Sequence, residues 1–105
     1  MTIFDEITQL SKAMSDENRV KIVTLIQREN HLCVCEISDT LSLSQPLVSR
    51  HLKQLKNAHI LSSSRDKKWV IYKIINNPSK LVKTYLTLLK QKENMLDQMI
   101  HCNKR

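Results

Sequence analysis

The sequence predicts a small, mainly α-helical domain that carries one β-hairpin. Apolar residues recur at helical spacing through most of the chain, and two adjacent apolar segments flank one charged tip. The 105 residues suffice for one compact domain but not for two. The chain contains no glycine, which excludes the glycine-rich phosphate loops of P-loop and dinucleotide-binding proteins. Tight turns must therefore use residues such as Asn, Asp or His.

The N-terminal third predicts two helices. Apolar residues recur every three or four positions over about residues 2–14, and Thr2 with Asp5 resembles a capping pair. Ser15 followed by Asp16 and Glu17 is a strong helix start, and the helix that follows is apolar over most of its circumference between Val20 and Ile26. We expect this second helix to lie at the centre of the core.

The middle of the chain predicts a helix-turn-helix over about residues 35–58. A short extended segment, Leu32–Val34, precedes a short helix over Glu36–Leu41. Ser44 is a favourable N-cap for a second helix that ends near Ala58, with a proline in its first turn. Two short helices joined by a three-residue turn, the second of them basic, are typical of DNA-binding proteins.

A hairpin and a last helix complete the predicted fold. Ile60–Ser64 and Trp69–Ile74 predict two strands joined by the charged tip Arg65–Lys68, which would form a wing over about residues 60–75. Asn77 and Pro78 predict the start of a final helix over about residues 78–101. Residues 1–105 are thus expected to form one winged helix-turn-helix domain.

The positive charge is concentrated in the predicted DNA-binding part. The whole chain carries a formal charge of +7. Residues 1–42 have a net charge of −3, residues 43–73 of +6 and residues 74–105 of +4. A solvated basic face is the alternative interpretation, but the coincidence of the charge with a helix-turn-helix favours nucleic acid.

The candidate DNA-binding residues lie on the second helix of the motif and at the hairpin tip. Val48, Leu52 and Leu55 should face the core, so the opposite side of the helix should meet the major groove, with His51 on its flank. Basic residues at the tip should reach the adjacent backbone or minor groove. The predicted set is Ser44, Gln45, Ser49, Arg50, His51, Lys53, Arg65, Lys67 and Lys68.

Two-fold pairing is the next expectation, because one recognition helix buries too little surface for tight, specific binding. The apolar stripes of the first and last helices are available for a homodimer interface. The alternative is that both stripes complete the core of the monomer, which suits the last helix less well because its stripe is long.

The cysteines predict a reducing compartment and a soft-ion site. Cys33, Cys35 and Cys102 are an odd number in a chain that begins without the pattern of a secretory signal, so we expect a cytoplasmic protein. No apolar run reaches the length of a membrane span. Thiolates prefer soft metals and metalloids, and two neighbouring sulfurs bind one ion only if their segment is extended or the first helical turn unwinds. Burial as two small hydrophobic residues is the alternative.

The third ligand of such a site is left open by the sequence. Cys102 is the candidate, from its own subunit or across a dimer, although it lies near the chain end, where a bystander thiol is equally compatible. A structural zinc site would need four ligands, and the sequence offers no second pair at zinc-binding spacing.

Three stretches of the chain resemble the ArsR/SmtB family of winged-helix repressors: Leu32–Ile37, Ser44–Leu52 and Lys68–Tyr72. The resemblance covers about residues 5–100. The Cys-Val-Cys element before the helix-turn-helix is similar to that of the arsenical-responsive branch, whose thiolates bind As(III) or Sb(III) and release operator DNA. The resemblance implies a homodimer that binds an inverted repeat upstream of its own resistance genes.

The sequence departs from the family at several positions. Ser38 stands where many arsenic sensors have a third cysteine, and residues 1–32 lack the cysteines of cadmium and lead sensors. Asp97 and His101 alone do not reproduce the zinc- and nickel-type site. The usual glycines are replaced by Ser42, by His59 and by Lys67 or Lys68.

Other functions remain as alternatives. A repressor of the same fold that senses thiol oxidation, persulfides or another soft metal (Cd, Pb or Zn) would use the same cysteines. A small thiol enzyme is disfavoured, because no histidine has a carboxylate and a nucleophile at recognisable spacing and no Cys-x-x-Cys element is present.

Overall fold

The computed structural model describes residues 2–92, 94 and 96 and contains five helices and three strands in this part of the chain. Their order along the chain is α1 Ile3–Ala13, α2 Glu17–Glu29, β1 His31–Cys33, α3 Val34–Leu41, α4 Gln45–Asn57, β2 Leu61–Asp66, β3 Trp69–Ile74 and α5 Lys80–Lys90. This order confirms the winged helix-turn-helix prediction. No helix among the described residues has the length and apolar character needed to cross a bilayer.

The helix starts follow the sequence signals closely. Thr2 caps α1. Its hydroxyl accepts from the backbone N–H of Asp5, and the Asp5 carboxylate accepts from the backbone N–H of Thr2. The Asp16 carboxylate caps α2 by accepting from the backbone N–H of Asn18 at 2.8 Å and of Arg19 at 3.3 Å. Ser44 caps α4, where its hydroxyl accepts from the N–H of Leu47.

The core surrounds α2, as expected. Five consecutive residues of this helix, Ile22–Ile26, are buried, so α2 meets neighbours on most of its sides. Val48, Leu52 and Leu55 of α4 are fully buried against it, together with Ile60 and Leu61. The i, i+4, i+7 stripe predicted for α4 is therefore the face that fixes this helix to the body of the protein.

The sheet has three strands in the order β1-β3-β2, one more than the predicted hairpin. β1 pairs antiparallel with β3, which places Cys33 opposite Ile71. β2 and β3 pair from Leu61 opposite Ile74 to Asp66 opposite Trp69. Arg65 and Asp66, predicted to lie in the tip, therefore belong to β2, and the turn is reduced to Lys67 and Lys68.

Three turn positions that lack the usual glycine have left-handed backbones. Ser42 has φ 56°, His59 has φ 61° and Lys67 has φ 58°. Residues with a Cβ atom adopt this region at some energetic cost, so the surrounding structure must hold them there. Lys67, rather than Lys68, therefore occupies the glycine-like position of the hairpin turn.

The predicted start of the last helix is wrong by two residues. Asn77 has φ 54°, a left-handed conformation, and the capping side chain is that of Ser79, which accepts from the N–H of Val82 at 3.3 Å. The helix ends at Lys90, much earlier than position 101. The last part of the predicted range, residues 97–101, lies outside the described residues.

Candidate DNA interface and thiol site

The turn of the helix-turn-helix is held by Ser38. Its hydroxyl donates to the carbonyl of Leu43, and the N–H of Leu43 donates to the carbonyl of Ser38 at 3.0 Å. Ser42 lies between them with its left-handed backbone. The residue that stands where many arsenic sensors have a third cysteine thus closes the turn between α3 and α4 with two hydrogen bonds.

The predicted DNA-facing side of α4 is exposed. Gln45, Ser49, Arg50 and Lys53 all lie on the surface, and Arg50 and Lys53 lie on the side of the helix away from the buried stripe. Ser44 is also exposed, but its hydroxyl already caps the helix. A helix that presents short polar and basic side chains near its N-terminus suits the major groove.

His51 is a correction to this set, because its side chain is only 6% exposed. Position 51 follows Val48 by three residues and precedes Leu55 by four, so it lies on the inward side of α4. Its Nδ1 atom lies 3.2 Å from the guanidinium Nη1 of Arg19 on α2. The ring therefore contacts the body of the domain and is withdrawn from the surface that would meet DNA.

The hairpin carries the remaining predicted residues. Arg65, Lys67 and Lys68 are exposed at its end, and the Lys68 ammonium lies 5.3 Å from the centre of the Trp69 ring. Lys56 lies outside the predicted set, and its Nζ donates to the Ser63 hydroxyl at 2.7 Å. This bond ties the C-terminal end of α4 to β2.

The two cysteines lie at the junction of β1 and α3. Cys33 ends the strand and is the N-cap of the helix, with an extended backbone of φ −94° and ψ 167°, and Cys35 lies in the first helical turn. Their Sγ atoms are 3.8 Å apart. Extended backbone at one cysteine thus brings the sulfurs together while α3 keeps its first turn.

The separation of the sulfurs fits a shared thiophilic ion. Two thiolates at about 2.3 Å from one ion lie roughly 3.3 to 3.8 Å apart when the angle at the ion is between about 90° and 109°. Among the described residues, no group of three or more His, Cys, Asp or Glu side chains is arranged to hold a metal. Cys102, the proposed third ligand, lies outside the described residues.

Both cysteines lie in the interior of the domain. Cys33 is a free thiol that is 1% exposed, and Cys35 is 7% exposed. Each must be present as the thiolate to bind an ion, because the thiolate and not the thiol is the metal ligand.

Glu36 organises the thiol segment, which the sequence analysis did not anticipate. Its side chain is buried, and its Oε1 accepts from the backbone N–H of Cys33 at 3.1 Å. The spacing of an N-cap residue and a Glu three positions later is the signal that would have revealed it. Ile71 and Trp69 of β3 pack against the two cysteines on the sheet side.

Comparisons with known proteins agree with this architecture. The sequence profile described as "Bacterial regulatory protein, arsR family" matches residues 16–63. The chain is 48% identical over 63 residues to the arsenic resistance transcriptional regulator ArsR1 of Pseudomonas putida KT2440, which covers 60% of this chain and 49% of that protein. It is 41% identical over 66 residues to the arsenical resistance operon repressor of Escherichia coli K12, covering 63% of this chain and 56% of that one.

A solved structure extends the similarity beyond the matched segment. Reduced HlyU from Vibrio cholerae N16961 superposes with a TM-score of 0.72 at 31% sequence identity, covering 84% of this chain and 88% of that chain. By contrast, the chain spans about half the length of the two curated relatives.

Proposed function

Because the chain belongs to the arsR family of bacterial regulatory proteins, we propose that it is a metalloid-responsive transcriptional repressor. It binds operator DNA as a homodimer and releases it when As(III) or Sb(III) binds cysteine thiolates. The names of its curated relatives support the response to arsenic. The proposal assigns the protein to the cytoplasm, where thiols stay reduced, and gives it no catalytic role.

The observation that carries the proposal is the position of the thiol pair between the two DNA-facing elements. Cys33 is paired with Ile71 on β3, the strand that leads back from the hairpin tip. Cys35 lies in α3, which continues through the turn held by Ser38 into α4. A bound ion would act as a soft Lewis acid toward both sulfurs. A change in the distance between the sulfurs would then shift β3 through Cys33 and α4 through Cys35.

DNA binding itself is assigned to the exposed basic surface. Arg50 and Lys53 of α4 neutralise phosphates or contact guanine, and Gln45 and Ser49 read base edges in the major groove. Arg65, Lys67 and Lys68 extend the contact to the flanking backbone or minor groove. The buried His51 has no place among these contacts.

Pairing of two chains is supported by exposed apolar side chains on α1 and α5. Phe4 is 78% exposed, and Ile3, Ile7 and Leu88 are also exposed. Burial of these side chains against a second copy would remove them from water, which favours association. A two-fold dimer would place two α4 helices on the half-sites of an inverted repeat.

The test is operator release measured with each cysteine replaced. A duplex selected for binding from a random library is titrated by gel shift under a phosphine reductant, because dithiol reductants themselves chelate arsenite. Arsenite should release the wild-type protein. Cys33→Ser and Cys35→Ser should bind the duplex with nearly unchanged affinity but stay bound when arsenite is added.

Two further variants complete the design. Cys102→Ser shows whether the tail supplies the third thiolate. If Cys102 is a ligand, this variant should stay bound to the duplex when arsenite is added; if it is not, arsenite should release the variant as it releases the wild-type protein. Arg50→Ala should weaken binding with and without arsenite, which separates loss of DNA affinity from loss of response. Normal release from both Cys33→Ser and Cys35→Ser would overturn the proposed inducer site.

A thiol-oxidation sensor of the same fold is the second candidate. It is favoured by the 3.8 Å separation of the Cys33 and Cys35 sulfurs and by the similarity to a protein solved in a form described as reduced. Release by a mild oxidant, with no response to arsenite under reductant, would select this second function.

A further inference from the structure

Arg19 connects three helices through one guanidinium group. Its Nε donates to the carbonyl of Ala13 at 2.7 Å and its Nη2 to the carbonyl of Lys12 at 3.2 Å, both at the C-terminal end of α1. Its Nη1 lies 3.2 Å from Nδ1 of His51 on α4. Because Arg19 itself belongs to α2, this side chain joins the end of α1 to the recognition helix.

The contact requires a neutral His51. A guanidinium group only donates hydrogen bonds, so Nδ1 must offer a lone pair and the ring proton must sit on Nε2. Nε2 is buried and has no hydrogen-bond partner among the described residues. A second proton on the ring would place an imidazolium directly against a guanidinium and would leave two buried donors facing no acceptor.

The surroundings oppose protonation of the ring. Desolvation by burial lowers the pKa of His51 below its ordinary value of 6.5, and the charges of Arg19 and Arg50 lower it further, against an opposing effect of Asp16. Asp16 and Arg19 come from α2 and Arg50 from α4 itself. α1 contributes the backbone carbonyls of Lys12 and Ala13, which hold Arg19 in place.

Asp16 is the acidic group that acts on the ring among the residues the structure describes. Desolvation raises the pKa of Asp16, but the N–H donors of Arg19 and Asn18 and the charges of His51 and Arg19 outweigh it and lower the pKa overall. Its carboxylate is engaged with the backbone of α2, at 2.8 Å from the N–H of Asn18. It therefore serves as the helix cap and is not hydrogen-bonded to the imidazole.

We propose that Arg19 and His51 form a proton-sensitive positioning pair, which holds α4 against the end of α1 while His51 is neutral and releases it in acid. The inference rests on the proposed function in one respect: the consequence is a loss of operator affinity as the pH falls. His51 itself does not touch DNA. It acts through the orientation of α4, whose outer side carries Arg50 and Lys53.

The loss of affinity in acid distinguishes this pair from the general effect of positive charge on DNA binding. Protonation of a solvent-exposed histidine adds positive charge and strengthens binding to DNA at low pH. Protonation of His51 does the reverse, because it disturbs the helix that must enter the groove. Weaker binding in acid is therefore the signature of the buried pair.

The first experiment measures affinity for the selected duplex at fixed ionic strength between about pH 8 and about pH 5. Wild-type affinity should fall by roughly tenfold across this range. That factor corresponds to a difference of about one unit between the pKa of His51 in the free protein and in the DNA-bound protein. His51→Asn keeps an acceptor near the position of Nδ1 but does not titrate. It should retain affinity at the upper pH and lose the fall in acid.

His59→Asn is the matched control, because His59 is an exposed histidine just beyond α4. It should retain the acid-dependent fall of the wild-type protein. If His51→Asn shows the same fall as the wild-type protein and His59→Asn, the proposed pair is overturned.

A second experiment reads the pair without DNA, by NMR titration of the histidine rings. His51 should titrate below about pH 6.5, and Arg19→Met should move its pKa upward, since a neighbouring cation has been removed. The stability of the protein should depend on pH in the same direction. Because the pKa of His51 is lower in the folded state, its contribution stabilises the protein above about pH 6.5 and is lost as the pH falls below that value. A ring that titrates at its ordinary value, or one that Arg19→Met leaves unmoved, would refute the pair.

The two experiments also separate the inference from the proposed function. If no duplex is bound at any pH, DNA binding is overturned, and the ring titration still decides whether the pair senses protons. If the duplex is bound but the affinity does not fall in acid, the repressor function stands and the positioning pair is overturned.

Discussion

Removal of the Glu36 carboxyl group should destabilise the protein and disorganise the thiol segment. Glu36 is only 4% exposed, and its Oε1 accepts from the N–H of Cys33 at 3.1 Å. Glu36→Ala leaves that N–H buried without this acceptor, which costs about 1–3 kcal/mol. Glu36→Gln retains an oxygen at the same place and should cost less than about 1 kcal/mol.

The measurement is the free energy of unfolding by urea, at one protein concentration and under reductant. A loss of about 2 kcal/mol corresponds to a fall of about 8–16 °C in Tm for a domain of this size. Asp39→Ala is the matched control, because it removes an exposed carboxylate from the same helix and should change stability by no more than about 0.5 kcal/mol.

The comparison of the two Glu36 variants decides the reasoning. Equal losses for Glu36→Ala and Glu36→Gln would show that the acceptor to Cys33 is not what stabilises the junction. A loss for Glu36→Ala as small as that for Asp39→Ala would refute the assigned role altogether.

Three further predictions address the core, the DNA contacts and the dimer. Leu52→Ala, at a fully buried position of α4, should lower the free energy of unfolding by about 2–5 kcal/mol in urea titrations, and a loss below about 1 kcal/mol would contradict the assigned packing. Lys67→Ala and Lys68→Ala should each reduce the slope of log affinity against log salt by about 0.9 if each side chain neutralises one phosphate, whereas an unchanged slope would remove the tip from the interface. Phe4→Asp should shift the protein from dimer to monomer in sedimentation, and an unaffected dimer would place the interface elsewhere.

The helices could be predicted from the sequence because their signals are local. Thr2, Asp16 and Ser44 are side chains that cap the next residues along the chain, and each was found at the predicted helix start. The buried stripe of α4 follows from its period alone. The exposed positions Arg50 and Lys53 then follow from the same geometry, which is why much of the candidate DNA surface could be predicted.

The errors arose where distant segments decide the outcome. The sequence predicts extended chain at Leu32–Val34, but the pairing of β1 with β3 joins residues about forty positions apart and has no local signal. His51 was assigned to the surface because it is polar, although its position is beside the buried stripe. Its partner Arg19 lies 32 residues away, so the sequence has no local signal of their contact. The backbone at Asn77 likewise defeats the capping signal of that residue, and Ser79 takes its place.

The placement of the two sulfurs on different elements bears on how the proposed release would work. Cys33 ends a strand whose ladder includes β3, whereas Cys35 belongs to a helix that leads to α4. A change in the sulfur separation must therefore move the strand relative to the helix, because packed elements shift more readily than they deform. The hairpin tip and α4, which the proposal places on the same duplex, would then lose their relative position. Release on this account requires no unfolding of either element, only a mismatch between two surfaces that bind DNA when correctly spaced.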